Sequence, residues 1–453
     1  MSKYTDCVAA SSAKSASRTR RPISSFSCLW ALYLLWTASL LSLPASLVPG
    51  SAGAYSVQYR LINYLTYLPV LFLIARSLRI PQGMQEACPP SRARPLVRGL
   101  LAVAVLMTFV GALGASDPSK LTRALMIEGL PLLAMTLVLL GCAEGRSISA
   151  LASLVSLQAI LGAGIVLVTL TRHPVLDWRG EVNVAHEVAY GLIAPATLAV
   201  LLLPVLLPWQ RIAALVGYSA AIALGFAYQG RLAALLQVVL LPTAWILIHA
   251  RRGALGRSLW RSAVPFAVVA VAVTGAALVI PAVRLQLERG IEGTLSRFDR
   301  SRPIADGGAS GEAPESRWTE AEEFVRTASW KTWLVGEGIG GTWRSEYMAS
   351  DFDGARWPMV HFGPLHLVLK GGLPLLVLYH VLFAMIVIRL WRASRRDPVA
   401  GAVLVYAIFT YLGFLSHGPA VHRYSTYFAW VVFGIAFASS RTPHGSSSRL
   451  PST

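Results

Sequence analysis

Residues 261–283, RSAVPFAVVAVAVTGAALVIPAV, form a span whose apolar run begins after Arg261 and stops at Arg284. About 20 such residues cross the hydrocarbon core of a bilayer as a helix. Beyond the run lies a polar island from Arg284 to Met359, after which the chain turns apolar again. The island holds thirteen of the 22 acidic residues, three of them clustered at Glu320, Glu322 and Glu323. It also carries Trp318, Trp330, Trp333, Trp343 and Trp357. A large aromatic loop held between greasy segments is the natural seat of any chemistry in such a chain.

The composition agrees. The 453 residues are 55% hydrophobic and only 14% charged, with a mean hydropathy of +0.56. A soluble domain carries about 25% charged residues. The apolar runs are continuous and do not alternate, which excludes a membrane barrel and indicates helices. The reading is therefore an all-α, polytopic integral membrane protein of about twelve transmembrane helices. Its spans fall near 26–48, 57–80, 97–115, 122–142, 148–170, 186–207, 210–228, 231–250, 261–283, 361–390, 399–416 and 421–440. Residues 1–25 form a cytoplasmic tail, 26–283 the first nine helices, 284–360 the large loop, 361–440 the last three helices and 441–453 a second cytoplasmic tail. The basic start and the apolar residues after it imitate a signal peptide, but the stretch 26–48 is too long for one and reads as a retained span.

The net charge of +18 does not point to nucleic acid. Its basic residues cluster between spans: Arg76, Arg79, Arg92, Arg94 and Arg98; Arg251, Arg252, Arg257 and Arg261; Arg389, Arg392, Arg395 and Arg396. With the N-terminus inside, every dense cluster lands on one side, as cytoplasmic loops require. The Trp-rich loop then lies outside, in the periplasm of a bacterial inner membrane. The four cysteines, Cys7, Cys28, Cys88 and Cys142, have no metal-ligand spacing, and none falls in the loop.

Within the loop, 316–330 (SRWTEAEEFVRTASW) reads as an amphipathic helix. Trp318, Ala321, Val325 and Ala328 recur at helical spacing, and Glu320, Glu322 and Glu323 face away from that stripe. Glu337-Gly338-Ile339-Gly340-Gly341 reads as a turn. Span ten is broken by Pro364, Gly371, Gly372 and Pro374, with Lys370 among them. A broken helix is tolerated at that depth where it lines protein or a wet cavity.

Several charged residues are candidates for function. Arg231 opens span eight from the outer side, where it is either functional or an interfacial arginine whose stem snorkels. Arg317 precedes Trp318 on the loop helix and sits one turn from Glu320, so an ordinary surface pair is the alternative. His361 and His366 flank Pro364 where the chain re-enters the membrane, at a spacing that does not suit a shared metal ion. Arg172, His173, Asp177, Arg179 and Glu181 form a charged outer loop, of which only Arg179 stands out from a solvated surface. Glu128 and Lys370 lie deep enough to need partners. Arginine suits a diphosphate because its planar fork binds two oxygens at once, and a histidine beside it can take a proton from a hydroxyl. No nucleotide-binding glycine loop occurs, and no cofactor or metal is expected.

At these residues the chain resembles the O-antigen ligase and O-antigen polymerase superfamily of bacterial polysaccharide enzymes. The likeness lies in a large outer loop between spans nine and ten and in three ordered motifs. These are Gln229-Gly230-Arg231-Leu232-Ala233-Ala234-Leu235-Leu236, then Ser316-Arg317-Trp318 with Phe324, Trp330 and the Gly336-to-Gly340 turn, then Val360-His361-Phe362 through Lys370-Gly371-Gly372-Leu373-Pro374. Phe362 stands where the family has Asn, and Gln229-Gly230 where it has Ser.

The resemblance implies metal- and ATP-independent, inverting glycosyl transfer. The donor would be a glycan on undecaprenyl pyrophosphate, and the acceptor a growing glycan, a lipid A core sugar or a protein hydroxyl. His361 would activate the attacking hydroxyl, while Arg231 and Arg317 would neutralise the leaving pyrophosphate. Arg179, Lys370 and Trp318 would be further contacts to phosphate or glycan. The lipid bilayer and other polysaccharide export proteins would be its partners. The competing readings are a transporter or lipid-linked glycan flippase that makes no bond, and a scaffold subunit of an envelope complex.

Overall fold

The computed structural model describes residues 94–114, 196–227, 314–345, 356–357, 360–395 and 397–421, with isolated helical positions within 152–164, at 242 and within 264–288. The expected spans near 26–48, 57–80 and 122–142, nearly all of 231–250 and 421–440, and the residues Glu128, Arg179 and Arg231, lie outside the described residues.

The described part is mostly helical. Helix α1 is Arg94–Gly114, α2 is Pro208–Ala227, α3 is Pro314–Thr327, α4 is Trp330–Val335, α5 is Gly363–Ala393 and α6 is Pro398–Val421. One two-residue antiparallel ladder, β1 (Trp343–Arg344) with β2 (Arg356–Trp357), pairs Trp343 with Trp357 and Arg344 with Arg356. Among the described residues, α5 and the stretch Pro398–Leu415 of α6 are long and apolar enough to cross a membrane. Both sit at the positions expected for spans ten and eleven. Helix α6 continues past the expected end at 416 to Val421, because polar residues end an apolar run without ending the backbone hydrogen-bond ladder.

Helices α5 and α6 form a hairpin. Asp397 opens α6 by accepting from the Val399 N–H at 2.9 Å, the usual way a short carboxylate satisfies a helix start. Aromatic rings hold the pair together: Tyr379 stacks on Phe414 at 4.9 Å between centroids, and Phe383 stacks on Tyr411 at 4.6 Å. Such offset pairs add about 0.5–1.5 kcal/mol beyond the area they bury. Gly363, at the start of α5, lies directly against the Phe414 ring and carbonyl, where a side chain would not fit.

Helix α5 is two helices joined at a kink. Gly371 (φ −140°, ψ 15°) and Gly372 (φ 65°, ψ −167°) leave the helical region. Pro374, two residues on, has no N–H and its ring would collide with the Lys370 carbonyl of a straight helix. At the break the Leu369 carbonyl accepts from the loop, from the Glu337 N–H.

The loop packs onto the first part of α5. Phe324, Trp343, Val360, Val368 and Leu369 form its buried core, with Ala328, Trp333, Phe362, Leu365 and Leu376 packed around them. Phe324 meets Trp343 edge-on, ring centroids 5.3 Å apart. Helix α4 starts at Ser329, whose hydroxyl accepts from the Thr332 N–H at 3.1 Å, and ends at Gly336.

The expected turn at 337–341 is present and wedged between helices. The Glu337 N–H donates to the Leu369 carbonyl of α5 at 2.7 Å, and the Ile339 N–H donates to the Met107 carbonyl of α1 at 3.0 Å. Between them Gly338 sits at φ 79° with its α-carbon against Gly111 of α1. Only glycine meets both demands, a left-handed backbone and no side chain.

The stripe expected on the loop helix is corrected. Val325 is half-exposed, while Glu320 and Glu323 are 2% and 7% exposed and lie inward beside Ala321 and Phe324. Only Glu322 of the acidic triplet faces out. Phe324 decides the helix's rotation through its burial in the loop core, and the carboxylates on its flanks are carried in with it.

Candidate active site

The two inward carboxylates of α3 each find a partner. Glu323 Oε2 accepts from the Ser345 hydroxyl, just past β1, at 2.7 Å. Glu320 Oε2 lies 2.9 Å from His361 Nδ1, and both Glu320 oxygens also accept, at 3.3 and 3.4 Å, from the His361 backbone N–H. One carboxylate therefore fixes both the main chain and the ring of the residue at which the chain re-enters the bundle.

A carboxylate only accepts hydrogen bonds. Nδ1 of His361 is therefore the protonated nitrogen, and in the neutral ring Nε2 is the basic one. The Glu320 side chain is 3% exposed and that of His361 13%. The carboxylate lies in the interior and the ring is partly exposed. The arrangement can orient an imidazole, fix its tautomer and stabilise the imidazolium formed when Nε2 takes a proton.

His366 has a different role. It is 3% exposed, and its Nδ1 accepts from the Val360 N–H at 3.4 Å. That bond closes the turn that leads into α5 and holds His361 at the helix start. Among the described residues no group of three or more His, Cys, Asp or Glu side chains converges as a metal site.

Lys370 is 2% exposed, in the turn of α5 just before the kink. Its ammonium donates to the Gly341 carbonyl at 2.8 Å, so the deep cation finds a partner in the glycine turn. On that turn Thr332 Oγ1 donates to Glu337 Oε1, which ties the turn back to α4.

The sequence candidates are thus partly assembled. His361 lies just ahead of α5 and Lys370 lies within it, immediately before the kink at Gly371. The first segment of the broken helix therefore separates the two. Arg317 and Trp318 belong to α3, the helix that carries Glu320, with Arg317 three positions before it. Glu320, Glu323 and Ser345 are site residues that the sequence reading misses. The available signal is Phe324: a stripe drawn through it turns the helix so that Glu320 and Glu323 face inward. Compared with known proteins, the chain matches no family model and no curated protein.

Proposed function

We propose that the chain is a multi-pass glycosyltransferase of the bacterial inner membrane, with about twelve spans and its large loop in the periplasm. It transfers or polymerises an oligosaccharide carried on undecaprenyl pyrophosphate, in the manner of the O-antigen ligases and polymerases it resembles. The observation that carries this reading is the contact of Glu320 with His361 at 2.9 Å. It brings the loop helix that bears Arg317 to the histidine at the membrane re-entry point, two elements that the resemblance requires to act together.

In the reaction, an acceptor hydroxyl oxygen bonds to the anomeric carbon as the bond from that carbon to the phosphate oxygen breaks. The electron pair leaves with undecaprenyl pyrophosphate. The hydroxyl proton passes to Nε2 of His361, and Glu320 holds the resulting imidazolium. Arg231 and Arg317 neutralise the charge that builds on the diphosphate, where a planar guanidinium grips two oxygens at once. A single displacement inverts the anomeric centre.

The test is complementation of a deletion strain with Arg317→Ala and His361→Ala, read on glycan gels. Loss of long polysaccharide with undiminished protein in the membrane is expected. Normal polymer from both variants, or transbilayer movement of lipid-linked glycan by vesicles of the pure protein without bond formation, refutes the reading.

A further inference from the structure

Helix α4 turns large apolar side chains outward. Trp330 is 77% exposed and Leu334, one turn later, 52% exposed. Exposed apolar surface of that size on two adjacent side chains is costly in water, at about 25 cal/mol per Å².

The level of α4 relative to the membrane can be read from α5. The basic residues Arg389, Arg392 and Arg395 mark one end of that helix. Counting about 20 residues back from Arg389 puts the far edge of the hydrocarbon core near residue 370. At that level α4 abuts α5: the Leu334 backbone meets Gly372, and Gly336 meets the backbone of Lys370 and Gly371. From Leu373 inward, α5 shows an exposed apolar stripe at four-residue spacing, Leu373 (40%), Val377 (54%) and Val381 (42%), with Ile388 (50%) beyond. That stripe is what a lipid-facing helix presents. The apolar face of α4 begins where the stripe ends. Lys331, also exposed, adjoins Trp330 at the level of the headgroups.

From this continuity we infer that α4 is an interfacial anchor: Trp330 and Leu334 insert into the outer edge of the lipid bilayer and hold the loop down on the membrane surface. An indole suits that boundary because its body is apolar and its N–H is polar, and a lysine beside it suits anionic headgroups. The inference requires α5 to span the membrane but does not depend on what reaction the site performs.

The test uses full-length protein with its four native cysteines replaced by alanine, reconstituted in vesicles of phosphatidylethanolamine and phosphatidylglycerol. Nitroxide labels are placed by Trp330→Cys, Leu334→Cys and, on the outward side of α3, Glu322→Cys. Labels at 330 and 334 should collide more often with dissolved oxygen than with a water-soluble nickel chelate, and the label at 322 the reverse. Nickel accessibility at 330 and 334 equal to that at 322 overturns the anchor. A second measurement needs no label: vesicles of brominated lipid should quench the native protein's tryptophan emission more than that of Trp330→Phe. Equal quenching also overturns it.

Discussion

The Glu320 carboxylate holds His361 at two points, the ring Nδ1 at 2.9 Å and the backbone N–H at 3.3 Å. A side chain that only completed the loop's packing would need neither. If His361 is the base of the proposed reaction, Glu320→Ala should therefore lower polymer yield by about 100-fold, the lower range for losing an oriented general base. Glu320→Gln, whose amide oxygen still accepts from Nδ1, should restore much of it. Time-resolved glycan gels measure both; equal yields from Ala and Gln would reduce Glu320 to a structural part.

The Glu323–Ser345 bond makes a separate prediction about the loop's stability. Ser345→Ala leaves a buried carboxylate without one of its donors, at a cost of about 1–3 kcal/mol. Limited proteolysis of the loop should begin at lower temperature in this variant. Ser345→Thr keeps the hydroxyl and should change the onset less.

Gly338→Ala combines a left-handed backbone with a side chain aimed at Gly111. The conformation alone costs about 1–2 kcal/mol, and the collision adds to it. The melting temperature should fall well below that of Gly164→Ala. Gly164 is helical, and a methyl group added there meets open space, so alanine should be neutral or stabilise by up to about 1 kcal/mol.

Lys370→Met keeps most of the buried stem and removes the donor to the Gly341 carbonyl. A hydrogen bond from a charged group contributes about 1.5–3 kcal/mol. The glycine turn should loosen, seen as faster amide hydrogen exchange over residues 336–341. Exchange at the native rate would mean that the two backbone bonds to α1 and α5 suffice.

Much of this architecture is legible in the sequence. The apolar runs locate α1, α2, α5 and α6 within a few residues, because a helix that buries most of its surface leaves little freedom of composition. The break in α5 is written in Gly371, Gly372 and Pro374, and the turn at 337–341 in its glycines. The rotation of α3 is not legible. A carboxylate beside a water-exposed stripe and one beside a buried stripe look alike until its partners are known, and Ser345 and His361 lie 22 and 41 residues away in sequence. His361 stands out because it flanks a proline where the sequence turns apolar again; Glu320 stands out only once the fold has brought it there.

Glu337 and Ile339, two residues apart, are bonded to different helices, one to α5 and the other to α1. The glycine turn thus acts as a rivet through both. Sliding either helix by one residue, or parting the two, breaks a backbone bond and exposes a buried carbonyl. The seam between α1 and α5 is therefore shut at this depth, and under the proposed reaction a long isoprenoid donor would have to reach the site through a different gap in the bundle.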